Sequence, residues 1–454
     1  MKFKPCLDNN FKPMAIEFSA FKKEALSEEN HVLGILVERN DGYNYKFSFP
    51  VFSSADKKQR NLKMAERVIK TILWVVGGYK IYIKGDKEIY EYIKEAYTDE
   101  GIRKFDKQFM ERVYESKFEV IYCDKDMPEE KKCNLSVGGH LDGCRIGFDA
   151  GGSDRKVSAV IDGNVVYSEE VVWFPKINPD PEYHYKEILT AMKTAASKMP
   201  RVDAIGVSSA GVYVNNKIMV ASLFLKVSDE DFEKKVKTMY IDIAKEIGAP
   251  LEVANDGDVT ALAGAIDLND NEVLGIAMGT SEAVGYINSN GGLNGWLSEL
   301  AFVPVDYDDD AMVDEWSGDY GCGVKYFSQD GVIKLAEKGG FKFEEGLSPA
   351  EKLKVIQGLM KEGSPLAKQI YEDIGVYLGY TLPYYAMFYD IKHVLLLGRV
   401  TSGEGGNIII EKAKEVLSAE FPELKFELEM PDEKNRRVGQ SIAAASLADS
   451  KKSI

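Results

Sequence analysis

Four short segments of this chain place small residues beside carboxylates, amides or hydroxyls where an apolar run ends. The first is Asp149-Ala150-Gly151-Gly152-Ser153. Its two glycines let backbone N–H groups approach an anion closely, Ser153 adds a hydroxyl donor, and Asp149 could hold Mg²⁺ or its waters. These residues predict a phosphate-binding turn, although an ordinary hairpin turn often has the same composition.

The second segment, GIAMGTS at 275–281, is another apolar run that breaks into a small polar turn, with Gly279 and Thr280 as candidate donors. Two such turns, each opening one half of an alternating chain, predict two lobes that hold one phosphate chain between them. Neither turn has the GxxxxGK[ST] or the GxGxxG spacing, so a Walker-type ATPase and a dinucleotide-binding fold are disfavoured.

The third and fourth segments follow the strand-like runs LEVAND (251–256) and HVLLL (393–397). Asp256, at the carboxyl end of its strand, is well placed to accept a proton from a substrate hydroxyl, and Asn255 could bind a neighbouring hydroxyl. The alternative is an Asn-Asp cap at the start of a helix. Gly398 would let a nucleobase or ribose lie flat against the backbone, but a plain strand-to-helix turn is equally common.

Strand-like and helix-like segments alternate from residue 145 onward, as an α/β sheet covered by helices requires. Residues 145–173 read as three antiparallel strands with turns at the glycines. Helical periodicity covers 184–199 and 229–248, the latter closed by Gly248.

The first 125 residues contain a hairpin with its turn at Asn40-Asp41-Gly42 and a long amphipathic helix over 57–73. A polar, Gly-rich stretch at 125–145 indicates a boundary. The order strand, Gly, helix, strand occurs both before this boundary and after residue 393. That order would fit a degenerate internal repeat, although any two α/β segments share it.

The 454-residue chain has 57 Lys and Arg against 73 Asp and Glu, a formal net charge of −16. Such a chain repels phosphate polymers, so we expect no nucleic acid and no membrane as partner. Five cysteines without a CxxC pair indicate a reducing compartment. The N-terminus lacks the apolar core of a signal peptide, and the longest apolar run (71–78) is far short of the ~20 residues that span a bilayer. We therefore expect a cytoplasmic protein.

Taken in order, the four segments resemble the ROK family of sugar kinases and repressors, in the actin-like ATPase superfamily. The similar stretches are IGFDAGGSDRKVSAVID, EVANDGDVTALAGA, VLGIAMGTSEAVGYI, HVLLLGRVTSG and VGQSIAAASLA. The resemblance implies an α/β fold with two actin-like (ribonuclease H-like) ATPase lobes, at 141–258 and 259–454, and a cleft between them. Residues 1–140 would form an additional N-terminal α/β domain.

The resemblance also implies roles for single residues. Asp256 would be the catalytic base. The residues implied to bind the substrate are Asn255, Glu299, Ser209 and Gly211. Those implied to bind the nucleotide or its phosphates are Asp149, Gly151, Gly152, Ser153, Gly279, Thr280 and Gly398, with Mg²⁺ at Asp149.

The chain departs from the family at the GEIGH and CxCGxxGCLE motifs, whose His and three Cys bind a structural zinc. Here SELAF at 298–302 retains Glu299 but ends in Phe302, and the second motif retains only Cys322 and ends in Val324. One thiolate cannot hold tetrahedral zinc, so we predict no zinc site. Half of the sugar-binding carboxylate pair is also lost.

These features predict an ATP-dependent kinase that uses ATP and Mg²⁺ to phosphorylate a hydroxyl of a sugar or sugar-like molecule. The alternative is a degenerate relative that binds sugar or nucleotide as a sensor, because Glu282 would stand where a phosphate oxygen approaches. DNA binding is disfavoured, since the first 140 residues lack the basic helix-turn-helix of the family's repressors. We expect a monomer or a homodimer. If the N-terminal segment is a degenerate repeat, it could pack within the same chain as a stand-in for a partner subunit.

Overall fold

The computed structural model describes residues 1–133, 137–431 and 433–451, without the side chains of 433–438. The N-terminal segment forms a four-stranded sheet in the order β2-β1-β3-β4, in which only β3 and β4 are parallel. The predicted hairpin turn is confirmed at Asn40–Gly42, between β1 and β2. The elements of this segment are α1 (Met14–Ser27), β1 (Asn30–Glu38), β2 (Asn44–Phe52), α2 (Lys58–Val76), β3 (Lys80–Lys84), α3 (Lys87–Ala96), α4 (Lys104–Tyr114) and β4 (Glu119–Tyr122).

Helix α2 is buried along most of its length. The predicted helix at 57–73 is confirmed, but it continues through the apolar residues up to Val76 and ends at Gly77, whose φ is +82°. An L-residue at Gly77 would be strained. Helix α2 is buried over this length because it lies between the N-terminal sheet and the second lobe, and all three share one hydrophobic core.

The first lobe contains a five-stranded sheet in the order β11-β8-β5-β6-β7. The predicted antiparallel strands β5 to β7 are confirmed. Strand β8 pairs with β5 in parallel, and β11 pairs with β8 in parallel. Its elements are β5 (Cys144–Ala150), β6 (Asp154–Ile161), β7 (Asn164–Val172), α5 (Pro181–Ala196), β8 (Ala204–Ser209), β9 (Val212–Val214), β10 (Lys217–Val220), α6 (Asp229–Asp231), α7 (Met239–Ile247) and β11 (Leu251–Asn255).

Two predicted helices of this lobe differ from the structure. The helix expected at 229–248 is interrupted: the one-turn α6 leads into a π-helical turn at Phe232–Val236 before α7 begins. Gly248 ends α7 as predicted, in the left-handed conformation at φ +83°. Helix α5 begins at Pro181, earlier than periodicity suggested, because the Asp180 side chain accepts the N–H of Glu182 and caps it.

The second lobe contains a four-stranded sheet in the order β13-β12-β14-β15. Its elements are α8 (Asp256–Leu268), β12 (Val273–Met278), β13 (Glu282–Ile287), α9 (Gln329–Lys338), α10 (Pro349–Lys361), α11 (Pro365–Tyr385), β14 (His393–Leu397), α12 (Glu404–Glu420), β15 (Glu427–Glu429) and α13 (Glu433–Ala445). The N-terminal sheet has the same strand order, but β1 is antiparallel to β3 whereas β12 is parallel to β14. The two segments compared in the sequence, β3 to β4 and β14 to β15, are both parallel pairs, and the repeat stays a proposal.

The last helix returns to the first lobe. A Cβ on Gly206 of β8 would lie 1.7 Å from the carbonyl oxygen of Ala444 in α13, so only glycine allows this approach. Helix α13, near the end of the chain, therefore packs against the sheet of the first lobe. The division into domains at residues 140 and 258 stays a proposal. In the part of the chain described here, no helix is long and apolar enough to cross a membrane.

A buried ion cluster joins the N-terminal segment to the second lobe. Asp319 lies 2.9 Å from Arg67, 3.0 Å from Lys70 and 2.9 Å from Arg103. The cluster, called here the Asp319 cluster, contains three cations and three carboxylates: Glu66, Arg67, Lys70, Arg103, Asp106 and Asp319. Burial alone would raise the pKa of Asp319, but the nearby cations, Lys70 foremost, hold it well below the ordinary value.

An aromatic cluster lies beside these ions. The ring centroids of Trp74, from α2, and Phe302 are 4.3 Å apart, and Phe105 and Phe109 of α4 contact both rings. Trp316 packs edge-on against Phe302 at 5.7 Å. The segments that resemble the zinc motifs are therefore held by rings and ion pairs from the N-terminal segment.

We expect Asp319→Asn to lower the free energy of unfolding by about 3–5 kcal/mol, because it leaves three buried cations with one carboxylate fewer. The matched control is Asp309→Asn, which removes an exposed carboxylate of the same loop that pairs with Lys63 and should cost less than about 1 kcal/mol. Urea unfolding of both variants measures the difference. Equal losses in the two variants would contradict a structural role for the cluster.

Candidate functional site

The first predicted phosphate turn connects β5 and β6. The buried indole of Trp173 donates its N–H to the carbonyl of Gly151 at 2.8 Å, and the backbone N–H of Trp173 donates to Ser153 at 3.1 Å. A Cβ on Gly152 would lie 2.8 Å from Nζ of Lys176, which brings a cation to the outer side of the turn. Trp173 therefore holds the turn through two hydrogen bonds, and Lys176 places a positive charge beside it.

Asp149 lies at the end of β5, opposite Ser208 of β8. The Ser208 hydroxyl donates to its Oδ1 at 3.1 Å. Burial raises the pKa of Asp149, and the charge of Asp256 raises it further, whereas Ser208 and Lys156 oppose the shift. An oriented carboxylate beside a second one suits a divalent cation, so the residues fit the predicted Mg²⁺.

Asn255 and Asp256 begin helix α8. Asn255 Oδ1 accepts the N–H of Gly257 at 2.8 Å, and its Nδ2 donates to the carbonyl of Gly211 at 2.7 Å. The capping alternative is therefore what the structure shows for Asn255, which also lines the cavity described below. Asp256 Oδ1 accepts the same N–H at 3.0 Å, at the positive end of the helix dipole.

Asp256, Asp258 and Glu299 form a group of carboxylates whose charges interact, and Asp258 lines the cavity described below. Burial raises the pKa of Asp256, and it raises the pKa values of Asp258 and Glu299 to about 7. The charge of Asp256 adds to the shifts of the other two. All three are partly exposed, and Asp258 and Glu299, whose pKa values are about 7, can exchange protons near neutral pH.

Glu282 does not stand where the sequence predicted. Its side chain is 3% exposed, its Oε1 accepts a hydrogen bond from Tyr385 at 3.5 Å, and its Oε2 has no partner. A Cβ on Gly323 would lie 2.3 Å from that Oε2, so the carboxyl is directed into the interior. The expected clash with a phosphate oxygen is therefore wrong, because β13 turns this side chain inward.

The second predicted phosphate turn connects β12 and β13. The N–H of Gly279 donates to Ser281 at 3.0 Å, and Arg399 donates to the Thr280 hydroxyl at 2.9 Å. Gly398 has φ +96°, and a Cβ there would lie 2.4 Å from the carbonyl oxygen of Met278. Glycine is required at 398 because the two strand ends approach each other this closely.

A cavity of about 170 Å³ opens beside Asn255 and Asp258. Gly211 lines it, and its role in substrate binding stays a prediction. Ser209, in contrast, is fully buried, and its hydroxyl contacts Tyr240. Further wall residues come from the first lobe, at 212–216 and 252–254. The loop 293–297, which leads to Glu299, and residues of the N-terminal segment form most of the rest.

Ser208, Asp258 and Trp173 belong to the site but were not predicted from the sequence. Strand alternation in AIGVSSAG could have indicated Ser208, because the residue paired with Asp149 on a parallel neighbour lies on the same edge. Asp258 lies two residues after the predicted base. Nothing local indicates that Trp173 reaches back to the turn.

The segments at the zinc-motif positions have other partners here. The Cys322 thiol is buried, lies 3.7 Å from Asp319, and has its pKa raised to about 12 by burial. Such a thiol stays protonated at neutral pH. The absence of zinc stays a prediction.

We expect Glu282→Gln to stabilise the protein, and the gain should grow by a few kcal/mol between pH 5 and pH 9. Burial raises the pKa of Glu282 to about 8, so the stability that its carboxyl contributes is present below its ordinary pKa and is lost as pH rises through about 8. Glutamine keeps the shape without that loss. Denaturant unfolding at several pH values measures the gain.

Glu345→Gln, on an exposed turn, is the control and should show no such pH dependence. If Glu282→Gln and the wild type follow the same stability curve from pH 5 to pH 9, the Glu282 carboxyl is not held neutral in the fold.

Comparison with known proteins gives the same fold. A solved structure of a ROK hexokinase from Thermus thermophilus has a TM-score of 0.52 at 16% identity, covering 66% of this chain and 97% of that one. A glucokinase from Parabacteroides distasonis has a TM-score of 0.50 at 14% identity, covering 68% and 98%. A ROK glucokinase from Streptomyces griseus, solved with glucose and AMPPNP, has a TM-score of 0.47 at 20% identity, covering 66% and 99%.

The predicted α/β fold with two actin-like ATPase lobes is confirmed by the similarity to the hexokinase together with the family match that follows. No curated protein sequence matches the chain. A sequence profile of the ROK family matches residues 145–450, which is more than half of the chain and includes every segment on which the resemblance was based. The chain therefore belongs to the ROK family.

Proposed function

We propose that the protein is an ATP-dependent phosphotransferase that transfers the γ-phosphoryl group of ATP to a hydroxyl of a sugar or sugar-like molecule. The observation that carries the proposal is the position of Asp256. Its carboxylate lies at the start of α8, close enough to Asp149 and Glu299 to shift their pKa values, beside a cavity that could admit a small polar molecule.

Asp256 would accept the proton of the acceptor hydroxyl as its oxygen forms a bond to the γ-phosphorus. The bond from that phosphorus to the bridging oxygen breaks at the same time, and ADP leaves. A base is most effective when its pKa lies near the working pH, and burial moves the pKa of Asp256 in that direction. Glu299 and Asn255 would orient the acceptor.

The two turns would bind the phosphates from opposite sides. In this proposal Gly151, Gly152 and Ser153 contact them from the first lobe, and Gly279 and Thr280 from the second, while Gly398 lets the nucleoside approach the backbone. Mg²⁺ held at Asp149 would supply positive charge to the transferring phosphoryl group. Preorganised donors of this kind suit a reaction in which positioning and electrostatics dominate.

A sensor without turnover is the second candidate. Its main support was a carboxylate in the second phosphate turn, and Glu282 is instead directed into the interior. The test of the proposed function is therefore a test of turnover, with Mg-ATP and a panel of sugars.

We expect Asp256→Asn to lower kcat by about 10²–10⁴-fold, because the amide cannot accept the hydroxyl proton. The KM for ATP should stay within about twofold, since Asp256 does not hold the phosphates. Asp267→Asn, an exposed position on the same helix, is the control and should retain activity. ADP release in a coupled assay measures all three proteins, and full activity of Asp256→Asn would exclude it as the base.

We expect Gly398→Ala to raise the KM for ATP by about tenfold or more, or ~1.4 kcal/mol, because the new Cβ pushes against Met278 beside the second turn. Gly403→Ala is matched to it: Gly403 also has positive φ, +74°, but nothing lies within 4 Å of its Cβ position. Any difference between the variants therefore reports the close approach and not the backbone strain. Equal KM values for ATP would separate Gly398 from nucleotide binding.

A further inference from the structure

We propose that the N-terminal segment, residues 1–133, forms the specificity wall of the acceptor site and fixes the position of Glu299. The proposal rests on the proposed function, since it concerns which acceptor the same cleft admits. In it, residues 1–133 are part of the catalytic unit rather than an accessory domain.

The last turn of α2 binds the backbone that leads to Glu299. The carbonyls of Trp74, Val75 and Val76 accept the N–H groups of Glu299, Ser298 and Leu297 at 3.0, 2.9 and 3.2 Å. Carbonyls in the last turn of a helix have no partner within the helix, so this segment satisfies them. The N-terminal segment therefore fixes the position of the Glu299 backbone.

The β1–β2 turn holds the next part of the same loop. The Arg39 guanidinium is buried, donates to the carbonyl of Asn294 at 3.3 Å and also donates to that of Gly295. Arg39 and Tyr43 line the cavity together with Asn255 of the first lobe. One side of the candidate acceptor cavity thus belongs to the N-terminal segment.

The end of α4 extends this wall. Tyr114 lines the cavity. A Cβ on Gly77 would lie only 1.9 Å from the Tyr114 hydroxyl, so the ring packs directly against the end of α2. The Asp319 cluster and the pair Trp74–Phe302 join α2 to the second lobe. The wall is therefore packed against the second lobe, which contains Glu299.

The charges of this cavity restrict the acceptor. Among the described residues that line it, the charged ones are Arg39, Asp41, Glu252 and Asp258. Arg39 keeps its positive charge while it donates to two carbonyls, but three acidic side chains line the same cavity, and one of them, Asp258, has its pKa raised to about 7 by burial. The net charge of the lining is therefore negative at neutral pH and above, so the cavity favours uncharged or cationic polyhydroxyl acceptors and disfavours sugar acids and sugar phosphates.

Tyr43→Ala in the full-length chain tests the wall, with Tyr90→Ala as the matched control. Both tyrosines are partly exposed residues of the N-terminal segment, but Tyr90 packs against Tyr122 away from the cavity. The panel consists of glucose, glucosamine, N-acetylmannosamine, gluconate and glucose 6-phosphate, with KM and kcat measured for each acceptor and KM for ATP.

We expect Tyr43→Ala to raise the acceptor KM by about tenfold and to change the ranking of the acceptors, with the KM for ATP within about twofold. Tyr90→Ala should match the wild type, and the two anionic acceptors should be the poorest substrates of the wild type. Unchanged acceptor KM and ranking in Tyr43→Ala overturn the wall, as do gluconate or glucose 6-phosphate among the best acceptors.

A second measurement tests the position of Glu299. Amide hydrogen exchange at 297–299 should be slow in the wild type and at least about tenfold faster in Asp319→Asn, with Asp309→Asn unchanged. Equal protection in all three proteins overturns the role of α2. This measurement needs no turnover, and neither does calorimetric sugar binding to Tyr43→Ala.

The two hypotheses can fail separately. If the wild type binds sugars but phosphorylates none of them, the proposed function fails, and weaker sugar binding by Tyr43→Ala still supports the wall. If the wild type phosphorylates sugars and Tyr43→Ala does so with the same KM, only the wall fails. If no member of the panel binds, both are overturned.

Discussion

Asp319 binds three buried cations, and the position of the N-terminal segment relative to the second lobe depends on that contact. Arg67 and Lys70 lie on α2 and Arg103 lies just before α4, so one carboxylate fixes two helices at once. Charges removed from water are costly unless each has partners. The balance of three cations and three carboxylates in the Asp319 cluster meets this condition only when the segments are docked.

The consequence for the site follows from where α2 ends. Its last carbonyls accept hydrogen bonds from the backbone of 297–299. The helix that the Asp319 cluster holds in place therefore also fixes the position of the Glu299 backbone. The resemblance to the ROK family implies a zinc ion at the corresponding segments of its other members. In this chain Phe302 packs against Trp74 of α2, so side-chain packing from the N-terminal segment holds the residues that follow Glu299.

Electrostatics act in opposite directions at the cluster and in the cleft. The pKa of Asp319 is lowered, so its stabilising effect is present above the ordinary pKa of an aspartate and is lost as pH falls. The pKa values of Asp258 and Glu299 are raised to about 7, so their stabilising effect is lost as pH rises through that value. The cluster therefore stabilises the charged form of its carboxylate, whereas the cleft keeps carboxylates ready to exchange protons.

The sequence by itself determined the features that depend on neighbouring residues along the chain. The turn at Asn40–Gly42, the end of α7 at Gly248 and the strands around Asp149 follow from local conformational preference and from side-chain periodicity. Tertiary structure alone decided the inward direction of Glu282, the contact between Ser208 and Asp149, and the part of the cavity wall that comes from the N-terminal segment. These contacts join residues far apart in the chain, and only the packing of the sheets and helices brings them within hydrogen-bonding distance or into one wall.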